Sequence, residues 1–254
     1  MIIVGNGLLA KEFSKNKTDD DVLIIASGVS NSKEIKEEEF VREENLIRDV
    51  LQMHKNLKIV FFSTCSIMQS EKTPYILHKI KMEQLIRNLA MSHYIFRLPQ
   101  AVGIVNNNTL VSNLVKNAYL NNRILIQNDA FRNPLDVEDI SRIVLKVVET
   151  KIPPNRDFLN ISPSNEIRVL DIAEEIRSLL CSESKIILVP GGERYSIDNS
   201  DLKRYIDEKD RIFSEKYSVE VIRKYANKIV EKYSCQWEKE RIFNRLSQIR
   251  SGAI

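Results

Sequence analysis

Thr64, Tyr75 and Lys79 place a hydroxyl, a phenol and an ammonium in one stretch, VFFSTCSIMQSEKTPYILHKIKMEQLI. On a helix the phenol and the ammonium lie one turn apart, on the same face. Such a set suits proton transfer at an alcohol or carbonyl oxygen. A phenol is a poor base at neutral pH, a neighbouring ammonium favours its ionised form, and a hydroxyl can hold the reacting oxygen. The Tyr-x-x-x-Lys pattern occurs twice, as Tyr75/Lys79 and Tyr205/Lys209, in a chain with 8 tyrosines, so the pattern alone decides nothing. Position separates the copies. Tyr75 opens a predicted helix directly after a strand ending in Thr64, and ligands of open α/β sheets bind outside the carboxyl ends of the strands. Tyr205 follows no strand and is expected to form a surface pair with Lys209.

A second group sits at the N-terminus. IIVGNGLLA puts Gly5, Gly7 and Ala10 between a strand and a helix, with G-x-G-x-x-G/A spacing. Gly5 would allow the tight turn, and Gly7 the approach of a dinucleotide pyrophosphate. Ala10 would allow close helix–strand packing. An acidic residue for the ribose belongs about twenty positions later, at the end of the second strand. That strand, in DDDVLIIASGVS, ends instead in Ala26, Ser27 and Gly28, while Asp19, Asp20 and Asp21 precede it.

These groups need a scaffold. Short β-branched runs (MIIV, DVLIIAS, LKIVFFS, YIFRL) alternate with amphipathic stretches, predicting a parallel sheet covered on both faces, an α/β doubly wound, Rossmann-like fold. The 254 residues suffice for one α/β domain, with approximately 1–100 as its Rossmann-like core. Approximately 101–254 is expected to form a lobe intertwined with that core. In this second part LDVEDISRIVLKVVE has Asp136 at a helix start, RILIQ and KIILVP read as strands, and a long charged helix is predicted near 218–248.

Composition excludes several classes. A formal charge of +3, evenly spread, gives no footprint for nucleic acid or membrane, and no run of eighteen apolar residues exists. The start MIIVGNG has no signal-peptide pattern. Three scattered cysteines, Cys65, Cys181 and Cys235, form neither a disulfide framework nor a zinc set, and a reducing cytoplasm is the expected setting. His54, His78 and His93 share no metal-ligand spacing, so no metal site is expected. His78, next to Lys79, would point about a hundred degrees away around the helix. Cys65 reads as a small buried residue, and Trp237 as a packing residue of the last helix, against the body or a partner. The run KEIKEEEF reads as a solvated helix start.

Taken in order, the motifs resemble an extended short-chain dehydrogenase/reductase of the NAD-dependent nucleotide-sugar epimerase/dehydratase group. GNGLLA is similar to its glycine motif, DVLIIASG to its cofactor-side strand and FFSTCSI to its Ser/Thr strand. YILHKIKMEQLI is similar to Tyr-x-x-x-Lys with a trailing glutamate, Glu83. FRLPQAVG, RNPLDVEDISR and FLNISPSNEIRVLDIAEEI are similar to the nicotinamide-flanking, pyrophosphate-gripping and substrate-lobe segments. The resemblance implies NAD or NADP at Gly5, Asn6, Gly7, Leu8, Ala26, Ser27, Lys79 and Pro99. It implies Thr64 as substrate-orienting hydroxyl, Tyr75 as acid/base with Lys79 beside it, and Arg132 on a substrate pyrophosphate. Bland readings stand beside these: a strand-end hydroxyl for Thr64, a surface or capping arginine for Arg132.

Two departures qualify the resemblance. A strand–helix–strand block after the first βα unit, carrying the adenosine edge, is missing, which implies weakened dinucleotide binding. Cys65 and Ser66 stand where dehydratases of the group carry Asp and Glu, which argues against dehydration. The expected activity is therefore NAD(P)-dependent reduction or epimerisation of a nucleotide-linked sugar in glycan precursor synthesis. The alternative is a degenerate member that binds a nucleotide sugar or a partner without catalysis. Homodimerisation stays open.

Overall fold

The computed structural model describes residues 1–16, 21–105, 109–152 and 157–250, without the side chains of 244–250. Asp19 and Asp20 fall outside these ranges. The first part of the chain runs β1 (Ile2–Val4), α1 (Leu8–Phe13), β2 (Val22–Ile25), α2 (Glu37–Met53), β3 (Lys58–Thr64), α3 (Pro74–Leu89) and β4 (His93–Leu98). Then come β5 (Gln100–Val102), α4 (Leu110–Tyr119), β6 (Ile124–Gln127), β7 (Phe131–Arg132), β8 (Pro134–Asp136) and α5 (Val137–Thr150). The remainder is β9 (Leu159–Asn160), β10 (Ile167–Arg168), α6 (Val169–Leu179), β11 (Ile186–Val189) and α7 (Tyr217–Arg250).

The main sheet is parallel, in the order β1-β2-β3-β4-β9. Strands β2, β3 and β4 are buried on both faces, which is why they read as continuous apolar runs. Val22, Ile24, Val60, Phe62, Tyr94 and Phe96 face one core, shared with Phe13 of α1, with α5 and with the C-terminal elements. Leu23, Ile25, Ile59, Phe61 and Ile95 face the other, where α2 and α3 supply Ile47, Val50, Leu51, Met82 and Ile86. The expected two-sided α/β sheet is present.

The missing block has a topological consequence. In a complete doubly wound sheet β1 is internal and strand order reverses there. Here β1 is an edge strand, and Ile2 is exposed. The steps β1→β2→β3→β4 all run the same way, yet α1 covers one face and α2 and α3 the other. The β1–α1–β2 crossover therefore has the opposite hand to the two that follow, against the strong preference for a single hand.

Helix ends follow local chemistry. Thr73 caps α3 by accepting from Ile76 N–H at 3.3 Å, with Pro74 at the first helical position. Asp136 caps α5, accepting from Glu138 N–H at 3.0 Å. Glu83 ties α3 to β4 through two bonds of 2.7 Å from Arg97. The second part is docked by α7, which buries Val221, Ile222, Tyr225, Ala226 and Ile229 at helical spacing. Polar groups fix its register: Tyr225 Oη donates to Asp136 Oδ1 at 2.6 Å and Lys224 Nζ to Asp136 Oδ2 at 2.7 Å. Tyr217 Oη donates to Asp139 Oδ2 at 2.7 Å and accepts from the Asp136 N–H at 3.1 Å. Burial first, and these carboxylates with it, push both phenols up, so they remain neutral donors.

Trp237 lies on α7 with no exposed surface, against Tyr119 and Tyr233, as a packing residue. Trp237→Ala should cost about 3–5 kcal/mol in urea denaturation. Phe243→Ala, at a side chain 70% exposed, should change stability by less than about 0.5 kcal/mol.

Candidate active site

Parallel register brings the strand ends to one edge. Val4, Ile25, Phe61 and Ile95 lie level across the sheet, and β3 continues to Thr64, opposite Leu98. Gly5, Ala26, Ser27, Thr64 and Pro99 therefore follow their strands along the same carboxyl edge. Gly5 has φ 131°, and a Cβ there would lie 2.5 Å from the Ala26 carbonyl oxygen, so only glycine fits this turn. Asn6 and Gly7 are exposed, Leu8 half-buried, and a Cβ on Gly7 would meet nothing within 4 Å. That leaves open backbone where a phosphate would approach. The observation fits a dinucleotide pyrophosphate, and among the described residues β1 is the edge strand of the sheet.

Thr64 is buried and its Oγ1 accepts from Ser66 N–H at 3.1 Å. This is a local strand-end bond, and it leaves the hydroxyl hydrogen free to donate. Tyr75 lies in the first turn of α3, among Val29, Phe40 and Ile76, and among the described residues its phenol oxygen makes no hydrogen bond. Lys79, one turn on, sits with its ammonium 6.0 Å from the Tyr75 ring centroid. That ammonium is committed: Nζ donates to Glu43 Oε1 at 2.7 Å, and both side chains are buried. Glu43 Oε2 accepts from Val29 N–H at 2.7 Å and lies 3.0 Å from His78 Nε2. His78 thus converges on the same carboxylate as Lys79 rather than diverging, its ring stacked on Phe40 at 4.7 Å. Burial alone would push Glu43 up, but the Lys79 charge, its bonds from His78 and Lys79, and the Val29 N–H hold it at about 2.

Arg132 lies on β7, half-buried, its Nη1 donating to the Phe131 carbonyl at 2.6 Å. Tyr195 links it to the Thr64 turn. Burial pushes this phenol up, against a hydrogen bond with Ser66 and the charge of Arg132. Glu193, two residues earlier, accepts from Ser70 N–H at 2.7 Å, so the segment after β11 is anchored to the segment after β3. Beside it an open cleft of ≈470 Å³ is lined by Asn133, Glu166, Arg194, Glu215 and Ser218, with Arg194 and Glu166 ion-paired. Cys65 is buried, its thiol pushed up by burial and its Sγ 3.4 Å from the Arg97 carbonyl. Tyr205 is not a surface residue. It is buried beside Leu202 and Ile206 and donates to the Ile152 carbonyl at 3.3 Å. Its segment is a short 3₁₀ turn, so Tyr205 and Lys209 do not share a helix face.

Among the described residues no group of His, Cys, Asp or Glu could hold a metal, and no helix is long and apolar enough to cross a membrane.

The fold is shared with solved structures of enzymes that act on nucleotide sugars, an epimerase and a reductase among them. Residues 69–194 match the family model of the RmlD substrate binding domain. A dTDP-4-dehydrorhamnose reductase from Clostridium acetobutylicum is similar with a TM-score of 0.70 and 18% identity, over 89% of this chain and 97% of that one. A UDP-glucuronic acid 4-epimerase from Bacillus cereus, in complex with UDP-glucuronic acid and NAD, is similar with a TM-score of 0.69 and 16% identity, over 88% and 79%. A dTDP-glucose 4,6-dehydratase from Bacillus anthracis, in complex with NAD, gives 0.66 and 18%, over 85% and 74%. At these identities the likeness is one of fold. No curated protein matches the chain by sequence.

Sequence reasoning did not single out Glu43. Its signal was present: Phe40, Ile47, Val50 and Leu51 form the buried stripe of α2, and position 43 lies on that stripe. A carboxylate on an apolar stripe requires a buried partner. Because the folded value of Glu43 is depressed from 4.5, its contribution is complete above pH 4.5 and fades as pH falls towards 2. The stability gap between wild type and Glu43→Gln, on the order of 3 kcal/mol at neutral pH, should therefore close over that window in urea titrations. A gap unchanged down to pH 2.5 would mean that folding does not alter the proton affinity of this carboxyl, so that its ionic partners add no stability.

Proposed function

We propose that the protein is an NAD(P)-dependent reductase or epimerase acting on a nucleotide-linked sugar. The observation that supports it most is the position of Thr64, Tyr75 and Lys79, at the end of β3 and in the first half of α3, on the edge where Gly7 leaves open backbone. NAD or NADP held by Gly5, Asn6, Gly7 and Leu8, beside Ala26, Ser27 and Pro99, would supply or take up the hydride. Thr64 can donate its hydroxyl hydrogen to a sugar oxygen, and Tyr75 carries the proton exchanged there. Arg132 offers a planar fork suited to a diphosphate. Cys65 and Ser66 give no carboxyl pair after Thr64, which disfavours dehydration.

A second reading, binding of a nucleotide sugar without turnover, is favoured by one observation: Lys79 is ion-paired within the chain. Thermal-shift titration with nucleoside diphosphates separates both readings from neither. At least one should stabilise the protein, and Arg132→Lys should weaken that effect. Tyr75→Phe should leave diphosphate binding intact while lowering turnover of a competent sugar by roughly 10²–10⁴. Stabilisation without turnover of any nucleotide sugar would select the binding protein, and no stabilisation by any diphosphate would exclude both.

A further inference from the structure

The segment after β11 crosses the carboxyl edge of the sheet. At one end Phe131 N–H donates to the Glu193 carbonyl at 3.3 Å, and Ser70 N–H to Glu193 Oε1 at 2.7 Å. At the other, Asn160 Nδ2 donates to the Asp198 carbonyl at 2.7 Å, and Asn199 Nδ2 to the Ser162 carbonyl at 2.9 Å. Residues 193–199 therefore run from the segment after β3 to the end of β9. Exposure alternates along them: Glu193, Tyr195, Ile197 and Asn199 are half-buried, while Arg194, Ser196 and Asp198 are exposed. A period of two is that of an extended chain with an inner and an outer face. Tyr195 belongs to the inner face, where its phenol is hydrogen-bonded to Ser66. Ser66 N–H in turn donates to Thr64 Oγ1 at 3.1 Å, and the Arg132 charge acts on the same phenol. A residue serving only to seat this segment would be apolar, like Ile197. A phenol with one bond to Ser66 keeps capacity for a second, as donor or acceptor.

We propose that Tyr195 is a specificity-determining residue whose phenol contacts the sugar of a nucleotide sugar held between Thr64 and Arg132. The proposal rests on the nucleotide-sugar reading above. In that reading Thr64 holds the reacting oxygen and Arg132 the diphosphate, and the sugar ring is what joins the two. Tyr195 touches the turn that carries Thr64 and feels the charge of Arg132, so a ring spanning them passes this phenol. Cys65 and Ser66 bring no carboxyl to this place, and the second part of the chain brings a hydroxyl instead.

Calorimetric titration of wild type and Tyr195→Phe tests this, with the nucleoside diphosphate that stabilises wild type and with its glucose and galactose conjugates. The diphosphate should bind both proteins alike, within twofold. At least one conjugate should bind Tyr195→Phe roughly three- to tenfold more weakly, the scale of one net hydrogen bond. Equal weakening of diphosphate and conjugates would make Tyr195 a structural part of its segment, and no weakening of any ligand would remove its contact with the sugar. Either result overturns the proposal and leaves the nucleotide-sugar reading standing. Should Tyr195→Phe fail to fold, nitration of Tyr195 by tetranitromethane in wild type decides, followed by peptide mass spectrometry. A conjugate should slow nitration at least threefold more than the diphosphate does, and equal rates would overturn the proposal. If no nucleoside diphosphate stabilises wild type, the nucleotide-sugar reading falls and the proposal falls with it.

Discussion

A carboxylate with no exposed surface stays ionised only when donors surround it, and satisfying Glu43 constrains the carboxyl edge of the sheet from several sides at once. The turn after β2 must present Val29 N–H, which requires the close pass at Gly28. Helix α3 must be set so that His78 and Lys79 both reach the same group, which fixes its rotation and hence the direction of Tyr75 one turn earlier. Phe40 stacks on His78 and shares a small apolar cluster with Tyr75. Removing any one donor leaves the others holding a charge in an apolar pocket, so these contacts stand or fall together.

The far half of the molecule uses the same physics for a different end. Asp136 also has no exposed surface, and its donors come from α7, from Arg211 and from the start of α5, so it docks a helix. Arg97, bidentate on Glu83 and 3.5 Å from the Phe158 ring centroid, joins β4, α3 and the entry to β9. These are satisfied networks: each carboxylate has several donors, and the phenols of Tyr217 and Tyr225 stay neutral to serve as donors. What distinguishes the Glu43 group is its place beside a strand end where Thr64 still has a hydrogen to give.

Much of this was legible in the sequence because it follows from local rules. Strands buried on both faces read as apolar runs, Asp136 announced the start of α5, and the Gly5 turn could be read from its spacing. The pairing of Glu43 with Lys79 was not legible, because it joins residues far apart in the chain and nothing local to EEEFVREENLI marks which glutamate turns inward except the stripe of Phe40 and Ile47. Tyr205 was misread for a related reason. The polar neighbourhood NSDLKRYIDEKDR suggests a surface, but burial there is decided by packing on Leu202 and Ile206. Tyr195 was also invisible, since its contact with Ser66 depends on how the segment after β11 is led back across the edge.

The inverted first crossover sets how the chain leaves the carboxyl edge of the sheet. In open α/β sheets the crevice forms where the chains leaving two neighbouring strands turn to opposite faces, which usually coincides with a reversal of strand order. This sheet has no reversal: β1, β2, β3, β4 and β9 run in sequence. Had α1 followed the common hand, it would lie beside α2 and α3, and every loop on the carboxyl edge would turn the same way. Because α1 stays on the opposite face, the chain leaving Val4 and the chain leaving Ile25 diverge. They pass closely at the Gly5 turn, where a Cβ would strike the Ala26 carbonyl, and part beyond it. The unfavourable hand of one crossover and the open backbone at Gly7 are thus two aspects of the same choice.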